Sequence, residues 1–186
     1  PAYDRLMKKP SGPLNDVLVV DLTRLLPGPV ATMMLRTLGA RVIKVESTTA
    51  PDMLRFLPPH NDGVNIAFAA LNKGKESVVL DLNSEEGAGV LQRLCSKADI
   101  LLTSARKPWM EARGLGFESL RERNAKLIYC TLGSYRAGSE RELLGGHDIN
   151  FLAVSGPAQL LGQSAPVLPQ VQLADLGGAQ YAVICL

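Results

Sequence analysis

Five short runs rich in β-branched residues constrain this chain more than any other feature: Val17 to Leu22, Arg41 to Glu46, Ser77 to Leu82, Asp99 to Thr103 and Lys126 to Leu132. Their apolar character is nearly continuous rather than alternating, which fits strands covered on both faces, as in a parallel sheet. Helical patterns lie between several of them. Pro29 suits a first turn, and Val30, Met33, Met34, Leu35 and Leu38 recur at helical spacing until Gly39 ends the element. Ser84-Glu85-Glu86 is a capped, acidic opening for a helix over Ala88 to Ala98, with Val90, Leu91 and Leu94 as its buried stripe. Glu118 to Asn124 predicts a shorter helix. Alternating β and α elements with short joints predict a doubly wound α/β fold.

At 186 residues the chain has room for one domain and part of a second. Its composition, 46% apolar and 20% charged, excludes disordered, collagenous and disulfide-scaffold classes. The net charge is only +2 and the basic residues are scattered, so no nucleic acid partner is expected. No apolar run reaches the roughly 18 residues of a membrane-spanning helix. Pro1 to Pro10 lacks the apolar block of a secretory leader. Cys95, Cys130 and Cys185 are widely spaced in apolar settings, the pattern of reduced core thiols in an intracellular protein with no metal-ligand spacing. The cytoplasm is the expected compartment, with mitochondria and peroxisomes as alternatives. Ala179 to Leu186 reads as the opening turns of a buried helix without a terminator, so more protein is expected beyond it.

Two stretches break the α/β rhythm. Residues 47–76, with Pro51, Pro58, Pro59 and Gly63, predict an excursion over the sheet, and a loop this long in a compact domain is usually functional. Residues 133–146 form the second. Leu26-Pro27-Gly28-Pro29 sits where a phosphate loop would, yet it lacks both G-x-G-x-x-G and a Walker lysine, so a structural turn is expected. Arg41 to Glu46 predicts a strand whose charges surface at its ends. Asn72-Lys73-Gly74-Lys75 fits either a solvated turn or a site for anionic phosphates.

The sharpest local feature runs from Gly145 to Asn150. Two glycines permit close backbone approach, and one of only 2 histidines, His147, follows at once. A histidine at a helix start either caps and packs or, kept neutral by the dipole, serves as a base. Asp175 lies among Leu173, Ala174, Leu176, Gly177 and Gly178. It is either the N-cap of the final helix or a desolvated carboxylate of raised pKa, able to act as acid, base or nucleophile. The backbone near Gly177 and Gly178 is an expected donor to a developing oxyanion.

Taken in order, Val19 to Thr23, Pro27 to Pro29, Leu38 to Glu46, Asn72 to Lys75, Leu80 to Leu82, Ala98-Asp99, Leu127 to Tyr129, Gly146 to Asn150 and Ala174 to Gly178 resemble the amino-terminal half of the family III CoA-transferases. That group includes formyl-CoA and carnitine CoA-transferases and α-methylacyl-CoA racemases. The resemblance implies an α/β, Rossmann-like, doubly wound, mainly parallel large domain over residues 13–186, ending before a small domain. Residues 1–12 would be an amino-terminal extension. It also implies an interlocked homodimer acting on an acyl-CoA thioester, with no cofactor beyond that CoA and no metal.

By the same resemblance, Asp175 falls on the acyl-accepting nucleophile of the transferases and on an acid/base of the racemases. His147, followed by Asp148 and Asn150, resembles the racemase version. The implied function is therefore 2-methylacyl-CoA racemisation by α-proton abstraction and return, with His147 and Asp175 catalytic. Transfer through an acyl-aspartyl anhydride is the alternative. CoA would be held by Leu26 and Pro27, by Leu80, Asp81, Leu82 and Asn83, by Ser104, Ala105 and Arg106, and by Gly146, Asp148, Ile149, Asn150 and Phe151. Ser47 stands where a base is usual, Trp109 follows Arg106-Lys107-Pro108 where Arg-Pro-Gly is usual, and Arg136 replaces a loop glycine. Ser47 and Arg136 motivate a third reading, a catalytically silent homologue that binds CoA or merely dimerises.

Overall fold

The computed structural model describes residues 11–162 and 165–186; residues 1–10 of the expected extension lie outside the described residues. In chain order the elements are β1 (Leu18–Leu22), α1 (Pro27–Thr37), β2 (Arg41–Ser47), a 3-10 turn (Met53–Phe56), β3 (His60–Asn61), β4 (Val64–Asn65), α2 (Ile66–Asn72), β5 (Glu76–Leu80) and α3 (Glu85–Cys95). They continue as β6 (Ile100–Thr103), α4 (Lys107–Glu111), α5 (Phe117–Arg123), β7 (Ile128–Thr131), α6 (Asp148–Ser155), α7 (Pro157–Leu160) and α8 (Leu173–Cys185). The main sheet has 5 strands in the order β5-β2-β1-β6-β7. Every neighbouring pair in it is parallel. The doubly wound α/β expectation holds.

Successive strand residues point to opposite faces, so an apolar run supplies two cores at once. Val20, Ile43, Val45 and Leu101 meet Leu91 and Cys95 of α3, Met110 of α4 and Leu120 of α5. On the other face, Val19, Val42, Ile100 and Leu102 meet Val30, Ala31 and Leu35 of α1 and Ala179 and Ala182 of α8. Ser84 caps α3 as expected, its Oγ accepting the Gly87 N–H at 3.0 Å.

Arg41 surfaces at the start of β2 as expected, but the other two charges of the strand do not. Lys44 and Glu46 are buried because the excursion brings partners to them. Lys44 Nζ lies 3.2 Å from Asp52 Oδ2, and Arg55 binds Glu46 through both nitrogens, at 2.9 and 2.6 Å. Lys75 is likewise neither solvated nor free for an anion. Its ammonium is buried against Asp21 Oδ2 at 3.0 Å and Thr32 Oγ1 at 2.7 Å. Burial alone would raise the Asp21 carboxyl, but Lys75, Lys44 and the hydroxyls of Thr23 and Thr32 hold it below the ordinary 3.8.

The thiols also divide. Burial pushes Cys95 up to about 12, which keeps it inert, whereas Cys130 is half-buried and Cys185 is exposed. Only Cys95 fits the core-thiol expectation. Among the described residues, no helix is long and apolar enough to cross a membrane, and no cluster of three or more His, Cys, Asp or Glu could hold a metal ion.

Candidate active site

The chain builds the sheet outward from β1 to β5, then returns to add β6 beside β1. Loops leaving the carboxyl ends of β1 and β6 therefore diverge, and a crevice opens between them. A cleft of about 460 Å³ lies there. Arg24, Leu25 and Pro27 line it from the loop after β1, Ser104 from β6, and Leu132, Gly133 and Ser134 from β7. Gly146, His147 and Phe151 contribute from the start of α6, Ala174, Asp175 and Gly178 from the start of α8, and Met53 from the excursion. The two residues singled out for acid–base chemistry thus share one cleft.

Asp148 is what brings them together. It opens α6 beside His147, is buried, and its Oδ1 accepts the N–H groups of Ala174 at 2.6 Å and Asp175 at 3.0 Å. One carboxylate therefore caps α8, 26 residues along the chain. The amino-termini of α6 and α8 consequently line the same crevice, that of α8 with two amides already taken by Asp148. The His147 backbone N–H donates to Asn150 Oδ1 at 2.9 Å, which fixes the entry to α6. A Cβ at Gly146 would sit 2.6 Å from the Phe151 ring, so only glycine lets this backbone pass.

Asp175 is half-buried. Burial raises its carboxyl above the ordinary 3.8, the neighbouring Asp148 raises it further, and His147 pulls it partly back. A carboxyl so placed holds its proton to higher pH than a free aspartate and, when ionised, is the stronger base. The acid limb of kcat/KM is therefore expected above pH 3.8, and Asp175→Asn is expected to abolish that limb along with the activity. A limb at or below 3.8 would contradict the assignment of Asp175 as the titrating group.

Helix α8 begins six residues before the expected Ala179, and Gln172 rather than Asp175 is its N-cap. Gly177 and Gly178 lie past the first four amides, so their N–H groups belong to the helix and cannot serve as oxyanion donors. Gly178 instead provides space: a Cβ there meets nothing within 4 Å. Gly178→Ala is expected to raise stability by about 0.5–1 kcal/mol through helix propensity while lowering activity by intruding on the cleft. Thermal melting and turnover of the same variant check both signs.

A second cavity of about 790 Å³ adjoins the first, sharing Ser104, Leu132, Gly133 and Ser134, and is lined further by Ala105, Arg106 and Arg136. Of the residues expected to hold CoA, Pro27, Ser104, Ala105, Arg106, Gly146 and Phe151 line one cavity or the other. The rest do not. Leu26 packs beside α1 and α8, and Leu82 is buried in the other core. Leu80 packs partly against that same core. Asp81 turns back to accept the Asn83 N–H, while Asn83 bridges Arg113 and Thr49. Asp148 is the helix-to-helix cap, and Ile149 and Asn150 lie on an exposed part of α6. Sequence reasoning missed Arg24, Leu25 and Met53; Leu25 carries no signal at all, since its φ of +64° is a property of the folded loop.

An α/β crevice holding an imidazole and a half-buried carboxylate on two helix openings defines a site for proton or acyl transfer. The chain belongs to CoA-transferase family III, whose model it matches over residues 14–186. It is 38% identical over 167 residues to α-methylacyl-CoA racemase of Homo sapiens, covering 89% of this chain and 40% of that protein. It is 35% identical over 180 residues to succinate–glutarate CoA-transferase of Agrobacterium fabrum, covering 92% and 45%. The crystal structure of a CAIB/BAIF family protein from Brucella suis superposes with a TM-score of 0.88 at 32% identity, covering 94% of this chain and 48% of that one. The chain thus spans less than half the length of these relatives.

Proposed function

We propose that the protein containing this chain is a 2-methylacyl-CoA racemase. A thioester carbonyl acidifies the adjacent C–H. One base removes that proton, the electron pair moves onto the carbonyl oxygen as an enolate, and an acid on the opposite face returns a proton to the carbon. His147 and Asp175 fill these roles in either order. The observation that carries the reading is their presence on separate helices lining one cleft. General acid–base help typically contributes about 10²–10⁴-fold, and the amino-terminus of α6 would favour the enolate charge. Proton transfer is redox-neutral and needs no group beyond the CoA of the substrate.

The second reading is CoA transfer. Asp175 would attack the thioester carbon, expelling the CoA thiolate and leaving an acyl-carboxyl anhydride. The thiolate would then attack the Asp175 carbonyl, releasing the donor acid and leaving an aspartyl-CoA thioester. An acceptor carboxylate would displace CoA from that thioester as a new anhydride, and the thiolate would attack its acceptor carbonyl, giving the acceptor's CoA thioester and free Asp175. The half-buried carboxylate and the similarity to a CoA-transferase support it. Incubation of the intact protein with a single enantiomer of a 2-methylacyl-CoA in D₂O separates the two. Deuterium at the α-carbon with loss of optical purity is expected for racemisation. Hydroxylamine trapping of acyl-Asp175 without exchange would replace that reading with transfer. Binding with neither signal would leave a silent homologue. The homodimer proposed for the whole protein is checked by its mass in solution.

A further inference from the structure

We propose that Asp52 is a positioning residue of the cleft, holding Leu25 and Met53 as two halves of an apolar wall that receives the hydrocarbon part of an acyl thioester. The proposal rests on the acyl-CoA reading of the site and adds which part of the substrate the excursion recognises.

Asp52 is completely buried and does not line the cleft. One oxygen, Oδ1, accepts the Leu25 N–H at 3.0 Å and the Leu54 N–H at 3.1 Å. It therefore ties the loop after β1 to the 3-10 turn of the excursion, across 27 residues of sequence. The other oxygen faces Lys44 Nζ, which also donates to the Thr23 carbonyl at 3.0 Å. The Asp52 N–H donates to Glu46 Oε1 at 3.1 Å, and Glu46 is in turn gripped by Arg55. Asp52 is thus held by hydrogen bonds at Oδ1 and at its N–H, while Oδ2 has the Lys44 charge beside it and no hydrogen-bond partner.

What this anchorage fixes is costly or unsupported otherwise. Leu25 has a φ of +64°, a backbone state a branched side chain rarely adopts, and its amide is the one Asp52 holds. Met53 is 59% exposed and contributes little to the core, yet it stands at the cleft. The Asp52 bonds fix the backbone on which Met53 sits, and an apolar side chain at the mouth of a crevice is what a hydrocarbon ligand requires. Leu25 and Met53 together give the cleft an apolar side, whereas His147 and Asp175 give it a polar one.

The test is equilibrium binding by calorimetry to the intact protein, comparing a long-chain 2-methylacyl-CoA with acetyl-CoA. Met53→Ala and Leu25→Ala spare the buried charges; Asp52→Ala, made together with Lys44→Met so that no buried charge is left unpaired, removes the Oδ1 that accepts the Leu25 and Leu54 N–H groups. Each variant is expected to shift the ratio of the two dissociation constants about tenfold against the long chain. A ratio within twofold of wild type in Met53→Ala and Leu25→Ala overturns the wall. An unchanged ratio in the folded Asp52→Ala, Lys44→Met double variant overturns its positioning role. Failure of wild type to bind either thioester overturns the acyl-CoA reading itself, which is a separate result.

Discussion

Asp175→Ala in the intact protein is expected to lower racemisation at least about 10²-fold, the lower end of what a positioned general acid or base supplies. That corresponds to about 2.7 kcal/mol of barrier. The melting temperature is not expected to fall. Because the folded protein raises this carboxyl's pKa, its ionised form costs stability at neutral pH, and removing it removes that cost. Activity and stability should therefore move independently, as they do at residues kept for chemistry rather than packing. A loss below tenfold, or an equal loss of activity and fold, would remove Asp175 from the mechanism.

Lys75→Ala is expected to be among the most damaging single changes to the fold. It deletes one partner of a pair buried beneath α1 and leaves the Asp21 carboxylate without its nearest cation. Breaking a buried pair this way costs about 3–5 kcal/mol, from a total that is typically 5–15 kcal/mol. The exposed Arg41–Glu76 pair provides the control: both side chains are about half exposed, so Glu76→Ala should cost no more than about 1 kcal/mol. Urea denaturation measures both. The same site sets an acid limit. Asp21 is depressed below 3.8, so its contribution is present above that pH and is lost as pH falls through its folded value.

The strands were legible because a central parallel strand needs a nearly continuous apolar run, as in Val17 to Leu22, Arg41 to Glu46 and Asp99 to Thr103; the edge strands β5 and β7 carry similar runs but are only partly covered. Helix α8 was legible only in its second half. Asp175 reads locally as an N-cap and the backbone near Gly177 and Gly178 as a free donor, and nothing nearby in sequence shows that Asp148 caps the helix from 26 residues away. The same holds for Lys44 and Glu46, which read as surface charges because Asp52 and Arg55 reach them only when the excursion folds back. His147 and Asp175 were legible as residues of the right chemistry in glycine-rich settings. Their convergence follows from the strand order and from Asp148, and neither is written in the spacing between them.

The central claim is that an imidazole and a carboxylate address the same carbon from opposite sides. It is tested most directly by α-proton exchange measured separately on each enantiomer of a 2-methylacyl-CoA in D₂O, with His147→Ala and Asp175→Ala beside wild type. Each variant should stop inversion yet retain exchange with one enantiomer, and the retained enantiomer should differ between the two. Exchange lost or retained equally for both enantiomers in both variants would contradict the two-sided arrangement.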